Sequence, residues 1–191
     1  MLWAMRPLSP KTRALIERLG RPRPLRTWLF GVDDREQLIE AIGASGEVAA
    51  IVHLITFLMA DQLLANAASR AIACILRNQP IRVLAQLEQL RRFGGEWSHP
   101  QWHSLTPGGT RRLARLADGW AALGMASFHS SGFVREAAVR ELDTLDGSEK
   151  RELLFLVLRL NDWVAQVRKA ALSAMEKRLL VRYADALSCC R

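Results

Sequence analysis

Val134-Arg135-Glu136-Ala137-Ala138-Val139 recurs 33 residues later as Val167-Arg168-Lys169-Ala170-Ala171-Leu172. A weaker echo, Leu64-Ala65-Asn66-Ala67-Ala68-Ser69, stands 70 residues upstream of the first copy. A phrase repeated at this period marks stacked supersecondary units, none of which buries its apolar face alone. In the last copy Val167, Ala171 and Ala174 share one helical face, where small side chains let two helix axes approach closely. Leu154 and Leu158 are expected to line the helix before it.

Working outward, half of the 191 residues are hydrophobic, with Leu and Ala foremost, which excludes a disordered chain. Alternating apolar and polar runs are absent, so no sheet is expected. The length suits one ordinary domain, but in a repeat array length counts units. The net charge is +8, carried mostly by arginine. Arg6, Lys11, Arg13, Arg18, Arg21, Arg23 and Arg26 face Glu17 alone, leaving +6 over residues 1–30, and 31–100 is slightly acidic. A basic arm suits nucleic acid, an acidic partner or a membrane surface, and equally a solvated chain end.

Cys74, in an Ala/Ile/Leu helix, reads as a small buried hydrophobe. Cys189 and Cys190 are too close for an ordinary disulfide and lack metal-ligand spacing. A reduced, cytoplasmic setting of bacterial type is the expectation. Met1 to Met5 is too short for a secretory core before Pro7 and Pro10. The longest apolar run, Val48 to Ala60, falls short of the roughly 20 residues that cross a bilayer. It reads as a buried helix, and no membrane partner is expected.

The chain divides into a basic N-terminal helix and Pro/Arg linker (1–30), a first helical-repeat segment (31–93), a Trp/His/Gly loop (94–109), and a further repeat segment (110–191) whose end looks incomplete. Ser9-Pro10 supplies an N-cap and first residue for a helix over 11–19. A second helix covers 33–42, capped by Asp33 or Asp34 and closed by Gly43. Glu47–Leu58 pairs with Asp61–Arg77. Gln79-Pro80 breaks the chain before a helix over 81–93 that aligns Leu84, Leu87 and Leu90 and stops at Gly94-Gly95. After the loop, Thr110–Met125 pairs with Gly132–Leu145, and Ser148–Leu160 with Asp162–Leu180, where Asp162 is an N-cap.

The segment Asp162-Trp163-Val164-Ala165-Gln166-Val167-Arg168-Lys169-Ala170-Ala171 resembles the inner helix of the HEAT-repeat superfamily of α-solenoids. The resemblance covers roughly 110–180, extends more loosely over 31–93, and is absent from 1–30 and 94–109. It implies an all-α, HEAT-like superhelix of about four helix pairs. It also implies that Asp162, Arg168 and Arg135 form a structural ladder, each Arg meeting acceptors of a neighbouring repeat. The sequence departs from that pattern at His129, which stands where Asp162 stands, and at Ala65, which stands in place of the Arg.

Two clusters carry candidate chemistry. His99 and His103 are four apart beside Trp97 and Trp102, but Pro100 disfavours a helix there and no third ligand is near, so no metal is expected. The reading preferred for 94–109 is a loop folded over the helices, with at least one of Trp97 and Trp102 buried. Arg91 and Arg92 on one side and Arg111, Arg112 and Arg115 on the other flank those Trp residues. Such a basic-aromatic set is a candidate anion or partner surface, with Arg for phosphates and Trp for bases. Arg91 and Arg92 equally complement a helix C-terminus. No phosphate loop, nucleophile elbow or zinc-protease motif is present, so neither catalysis nor a cofactor is expected.

The function expected is therefore a non-enzymatic protein-interaction scaffold with a protein partner. The alternative is a nucleic-acid-binding HEAT module, and less so a HEAT-like alkylpurine DNA glycosylase, which Trp163 beside Asp162 brings to mind. Solenoid ends need a polar cap. Tyr183 to Cys190 supplies little polar cover, so self-association with a second copy, another protein, or a longer chain cut short is expected to cover the C-terminal edge; the alternative is that the final segment folds back as a modest cap and buries Leu179, Leu180 and Leu187 within its own chain.

Overall fold

The computed structural model describes residues 7–21, 33–77, 79–93, 100–145 and 150–178, with backbone alone for 81 and 89–93. The basic stretches 1–6 and 22–30, Gly94-Gly95, Trp97, His99, Ser148, Leu179, Leu180 and Tyr183 to Cys190, with the side chains of Leu90, Arg91 and Arg92, lie outside the described residues. Among those described, every regular element is helical and no strand occurs. No helix among them is long and apolar enough to cross a membrane.

Helix α1 (Pro10–Leu19) begins as its sequence dictates, with Ser9 Oγ accepting the Thr12 N–H at 3.3 Å. Glu47 docks that start. Its carboxylate accepts Ser9 N–H at 2.8 Å, Ser9 Oγ–H at 2.6 Å and Thr12 Oγ1–H at 2.7 Å. Helix α2 (Arg35–Ala44) runs through Gly43 instead of ending there. A Cβ on Gly43 would lie 2.6 Å from Ala71 Cα, so the residue serves a close crossing of α2 on α4 (Gln62–Arg77). That crossing is the most extensive helix contact in the described molecule.

The single helix expected over 47–58 is three short pieces: a 3-10 turn at Val48–Ala50, α3 (Ile51–Leu54) and a second 3-10 turn at Ile55–Met59. Ile51, Leu54, Ile55 and Leu58 are fully buried, so packing fixes this segment. The β-branched run Ile51, Val52, Ile55 and Thr56 weakens regular α-geometry. Thr56 Oγ1 also bonds the His53 carbonyl at 3.1 Å. The segment packs on α4, whose start is capped by Asp61 accepting Leu64 N–H at 3.1 Å. Cys74 is exposed on α4, not buried, although its neighbours Ala73 and Ile75 are in the core.

Helix α5 (Ile81–Phe93) buries Leu84 and Leu87. Pro100 opens the one-turn helix α6 (Pro100–His103), where its missing N–H costs nothing; it does not prevent a helix. Trp102 is buried, so residues 100–109 lie over the core and are not a free loop. The helix expected over 110–125 is broken into α7 (Thr110–Ala114) and α8 (Gly119–Ala126). Between them Asp118 adopts φ 55°, a left-handed conformation that Asp tolerates. It is held there by Arg77, which donates to its carboxylate at 2.6 Å, and by Ser69, which donates to its carbonyl at 3.1 Å.

Every residue of α8 is buried, which explains its all-round apolar sequence. It packs on α4, α7, α9 (Gly132–Thr144) and α10 (Glu152–Arg159), and α9 and α10 in turn pack on α11 (Ala165–Arg178). The expected pairs α8–α9 and α10–α11 are present. The repeated phrase starts two residues into each of α4, α9 and α11. Its first residue, Leu64, Val134 or Val167, and its fifth, Ala68, Ala138 or Ala171, are buried in all three copies. On α10 the buried face is Glu152, Leu153, Phe155, Leu156 and Arg159, whereas Leu154 and Leu158 are half-buried. Hydropathy misplaced that face because two charged residues occupy it.

Candidate protein-docking edge

The turns that lead into α4, α9 and α11 are built alike. Before α9, Arg135 turns back and its Nη1 donates to the carbonyls of His129 at 3.0 Å and Ser130 at 2.9 Å. Before α11, Arg168 Nη1 donates to the carbonyls of Asp162 at 2.7 Å and Trp163 at 3.1 Å, the same two positions of the next copy. Arg135 also crosses to the next unit: its Nε and Nη2 donate to Asp162 Oδ2 and Oδ1, both at 2.9 Å, with both side chains buried. Arg168 makes no such crossing among the described residues; its acceptors belong to its own turn, and it is exposed.

Asp162, expected as an N-cap, stands three residues before α11 begins at Ala165 and holds the turn that leads into it. Its Oδ1 accepts Val164 N–H at 3.0 Å, fixing the turn, and its Oδ2 accepts Arg159 Nη1–H at 2.9 Å. Arg159, 1% exposed, reaches on with Nη2 to Glu88 at 2.7 Å and lies 5.1 Å over the Phe128 ring. Arg135, Asp162, Arg159 and Glu88 thus form a buried chain of alternating charge joining α9, α10, α11 and α5. Burial pushes the Asp162 carboxyl upward. The hydrogen bonds from Arg135 and the Val164 backbone and the two guanidinium charges outweigh it and hold the group below the ordinary carboxylate value.

The two departures from the repeat pattern are both repaired. His129 Nδ1 accepts Ser131 N–H at 3.0 Å, the bond that Asp162 makes with Val164 in the next copy. Its Nε2 faces the Trp102 carbonyl at 3.1 Å. In the first copy, where Ala65 replaces Arg, the Ala60 carbonyl accepts instead from Arg112 of α7. Ala60 occupies the register of Ser130 and Trp163, so a side chain from another helix supplies the missing bond. The sequence carries no local signal for the Arg112–Ala60 and Arg159–Glu88 bonds, because those partners are distant in the chain.

Of the basic-aromatic set, Trp102, Arg111, Arg112 and Arg115 are described, and among these no stacking face is presented. Trp102 is 2% exposed and packs edge-on against His129, with ring centroids 5.7 Å apart, so its face is not offered to a ligand. Arg112 is turned to Ala60, Arg111 is exposed with Glu141 at 3.6 Å, and Arg115 is exposed. On α9 and α11, Arg140 pairs with Glu136 at 2.7 Å, and Lys177 pairs with Asp143.

What the turns do present is apolar. Phe133 is 77% exposed, Trp163 60% and Leu63 56%, each within two residues of a helix start. The turns that carry Phe133 and Trp163 lie against each other, since a Cβ on Gly132 would lie 3.1 Å from Val164 Cγ2. The Trp163 ring lies 4.9 Å from the Arg135 guanidinium, which supports it from below. Helix α6 packs on Ile55–Met59 and approaches Ser130 with His103 at 3.4 Å. A separate cavity of about 900 Å³ lies between residues 7–10, 45–49 and Gln79, Val83 and Gln86, and its Glu47 is already engaged by Ser9 and Thr12.

No known protein-family model matches this chain, and no curated protein matches it.

Proposed function

We propose that this chain is a non-enzymatic scaffold, a HEAT-like solenoid of about four helix pairs working in a reducing cytoplasm, that docks an apolar segment of another protein on Trp163 and Phe133. The observation that carries the reading is Trp163. Its indole rests on a buried guanidinium that is itself clamped by Asp162, while most of the ring faces outward. An aromatic side chain already fixed in place loses little freedom on binding, which is how hot spots gain affinity. The HEAT-like reading is supported by the recurring helix register and by the recurring Arg-to-carbonyl bonds of Arg135 and Arg168.

Nucleic acid is the less favoured occupant. Arg111, Arg140 and Lys177 are matched by acids, and Trp102 is buried. A glycosylase role for Asp162 is disfavoured because its carboxylate is 3% exposed and occupied by two arginines. A photo-crosslinking residue placed at Phe133 in living cells tests the proposal. It should capture a discrete protein, and the Trp163→Ser variant should lose that product. Capture of nucleic acid at this position, or a protein product indifferent to Trp163, would overturn it.

A further inference from the structure

We infer that His129 is a proton-operated latch that holds α6 against the start of α9. The argument begins with hydrogen-bond roles. Ser131 N–H is a donor, so the Nδ1 it meets at 3.0 Å must be an unprotonated acceptor. A neutral imidazole with a bare Nδ1 carries its proton on Nε2. That proton points at the Trp102 carbonyl 3.1 Å away, which is an acceptor. Both bonds are satisfied by one form of the ring only: neutral, with Nε2–H.

The ring is 2% exposed. A second proton on Nδ1 would set two N–H groups against each other at the Ser131 contact. It would also place a cation beside Arg135, whose guanidinium donates to the His129 carbonyl at 3.0 Å. Asp162 stands on the far side of Arg135 and is bonded to it twice. From α6, His103 approaches with ring centroids 6.2 Å apart; it is exposed and its Nδ1 faces Ser130 Oγ. Helix α8 and the Ile55–Met59 turn bring no charged side chain to this corner. The corresponding position in the next copy, Asp162, makes the same turn bond from a group that stays ionised across the neutral range. Only the His129 copy holds its turn with a ring that gains a proton once released from the fold, below about pH 6.5 for a free histidine.

Because the second proton sits on Nδ1 against Ser131 N–H, the ring takes it up only by leaving this corner, and its Nε2–H bond to the Trp102 carbonyl goes with it, while the Asp162 seam holds. The experiment is amide hydrogen exchange on the whole chain between about pH 7.5 and 5, with rates corrected for their intrinsic pH dependence, alongside imidazole nitrogen NMR. Protection of Ser131 and of residues 101–105 should fall by up to about tenfold per pH unit below about pH 6.5, the value of the released ring, since one proton is taken up on opening. Protection in α11 should be unchanged over the same range. His129→Asn should remove the pH dependence and His103→Ala should keep it. Should His129→Asn fail to fold, the wild-type spectrum decides: a neutral His129 protonated on Nδ1 at pH 7.5 would overturn the proposal. Protection at 101–105 that stays constant while His129 titrates would overturn it as well.

Discussion

Arg135 and Asp162 meet through two parallel hydrogen bonds of 2.9 Å, buried on both sides, and so join the start of α9 to the start of α11. Asp162 also neutralises Arg159, so one carboxylate serves two guanidinium groups that are nearly inaccessible to water. Removing one partner of a buried pair leaves an uncompensated charge and costs about 3–5 kcal/mol. Asp162→Ala is expected to lose at least that much in urea unfolding, and Arg135→Ala a comparable amount. A loss below about 1 kcal/mol for both would show that the network is not a support of the fold.

Asp143 gives the acid side of the same physics. Burial pushes its carboxyl up, but the hydrogen bonds and charges of Lys177 and Arg178 prevail and hold it below its ordinary value. A group lowered in the folded state contributes stability above its unfolded value, about 3.9, and that contribution is lost as the pH falls through the folded value. The stability gap between wild type and Asp143→Asn should be constant from about pH 7 to 5 and should narrow below about pH 4. A gap that widens on acidification would contradict the assignment.

Much of the helical packing was legible in the repeated phrase. It told that Val167, Ala171 and Ala174 share a buried face and that Arg135 and Arg168 stand in one register, because those features depend on neighbours along one helix. The broken segments were not legible. Asp118 turns left-handed because Arg77 and Ser69, from a different helix, hold it. Gly43 looked like a stop and is a crossing point, which only the approach of Ala71 reveals. Two members of the candidate anion surface were not legible for a related reason: Trp102 and Arg112 have side chains suited to a ligand, but His129 and the Ala60 carbonyl take them first.

Close crossings should be intolerant of added volume. Ala171 is fully buried on the face of α11, and Gly43 lies against the backbone of α4. Ala171→Leu and Gly43→Ala are each expected to destabilise by about 1–3 kcal/mol, because an overfilled contact forces the backbone apart. Unchanged thermal unfolding in either variant would show that the helices have room to separate.

Arg112 and Arg168 bond carbonyls at the surface, without the buried carboxylate that Arg135 holds. A hydrogen bond in such a setting contributes about 0.5–1.5 kcal/mol. Arg112→Ala and Arg168→Ala should each fall in that range in urea unfolding, well below Arg135→Ala. Equal losses at Arg135 and Arg168 would mean that the carboxylate crossing adds nothing.

The central claim is that Trp163, held on Arg135, is the anchor of a protein-docking edge. The most direct measurement is the affinity of the protein captured at Phe133 for wild type and for Trp163→Ser, each at low and high salt. An apolar hot spot predicts a loss of at least about 30-fold on Trp163→Ser, equivalent to about 2 kcal/mol, at both salt concentrations. An affinity that ignores Trp163 and collapses steeply as salt rises would contradict the account and identify a charge-driven surface in its place.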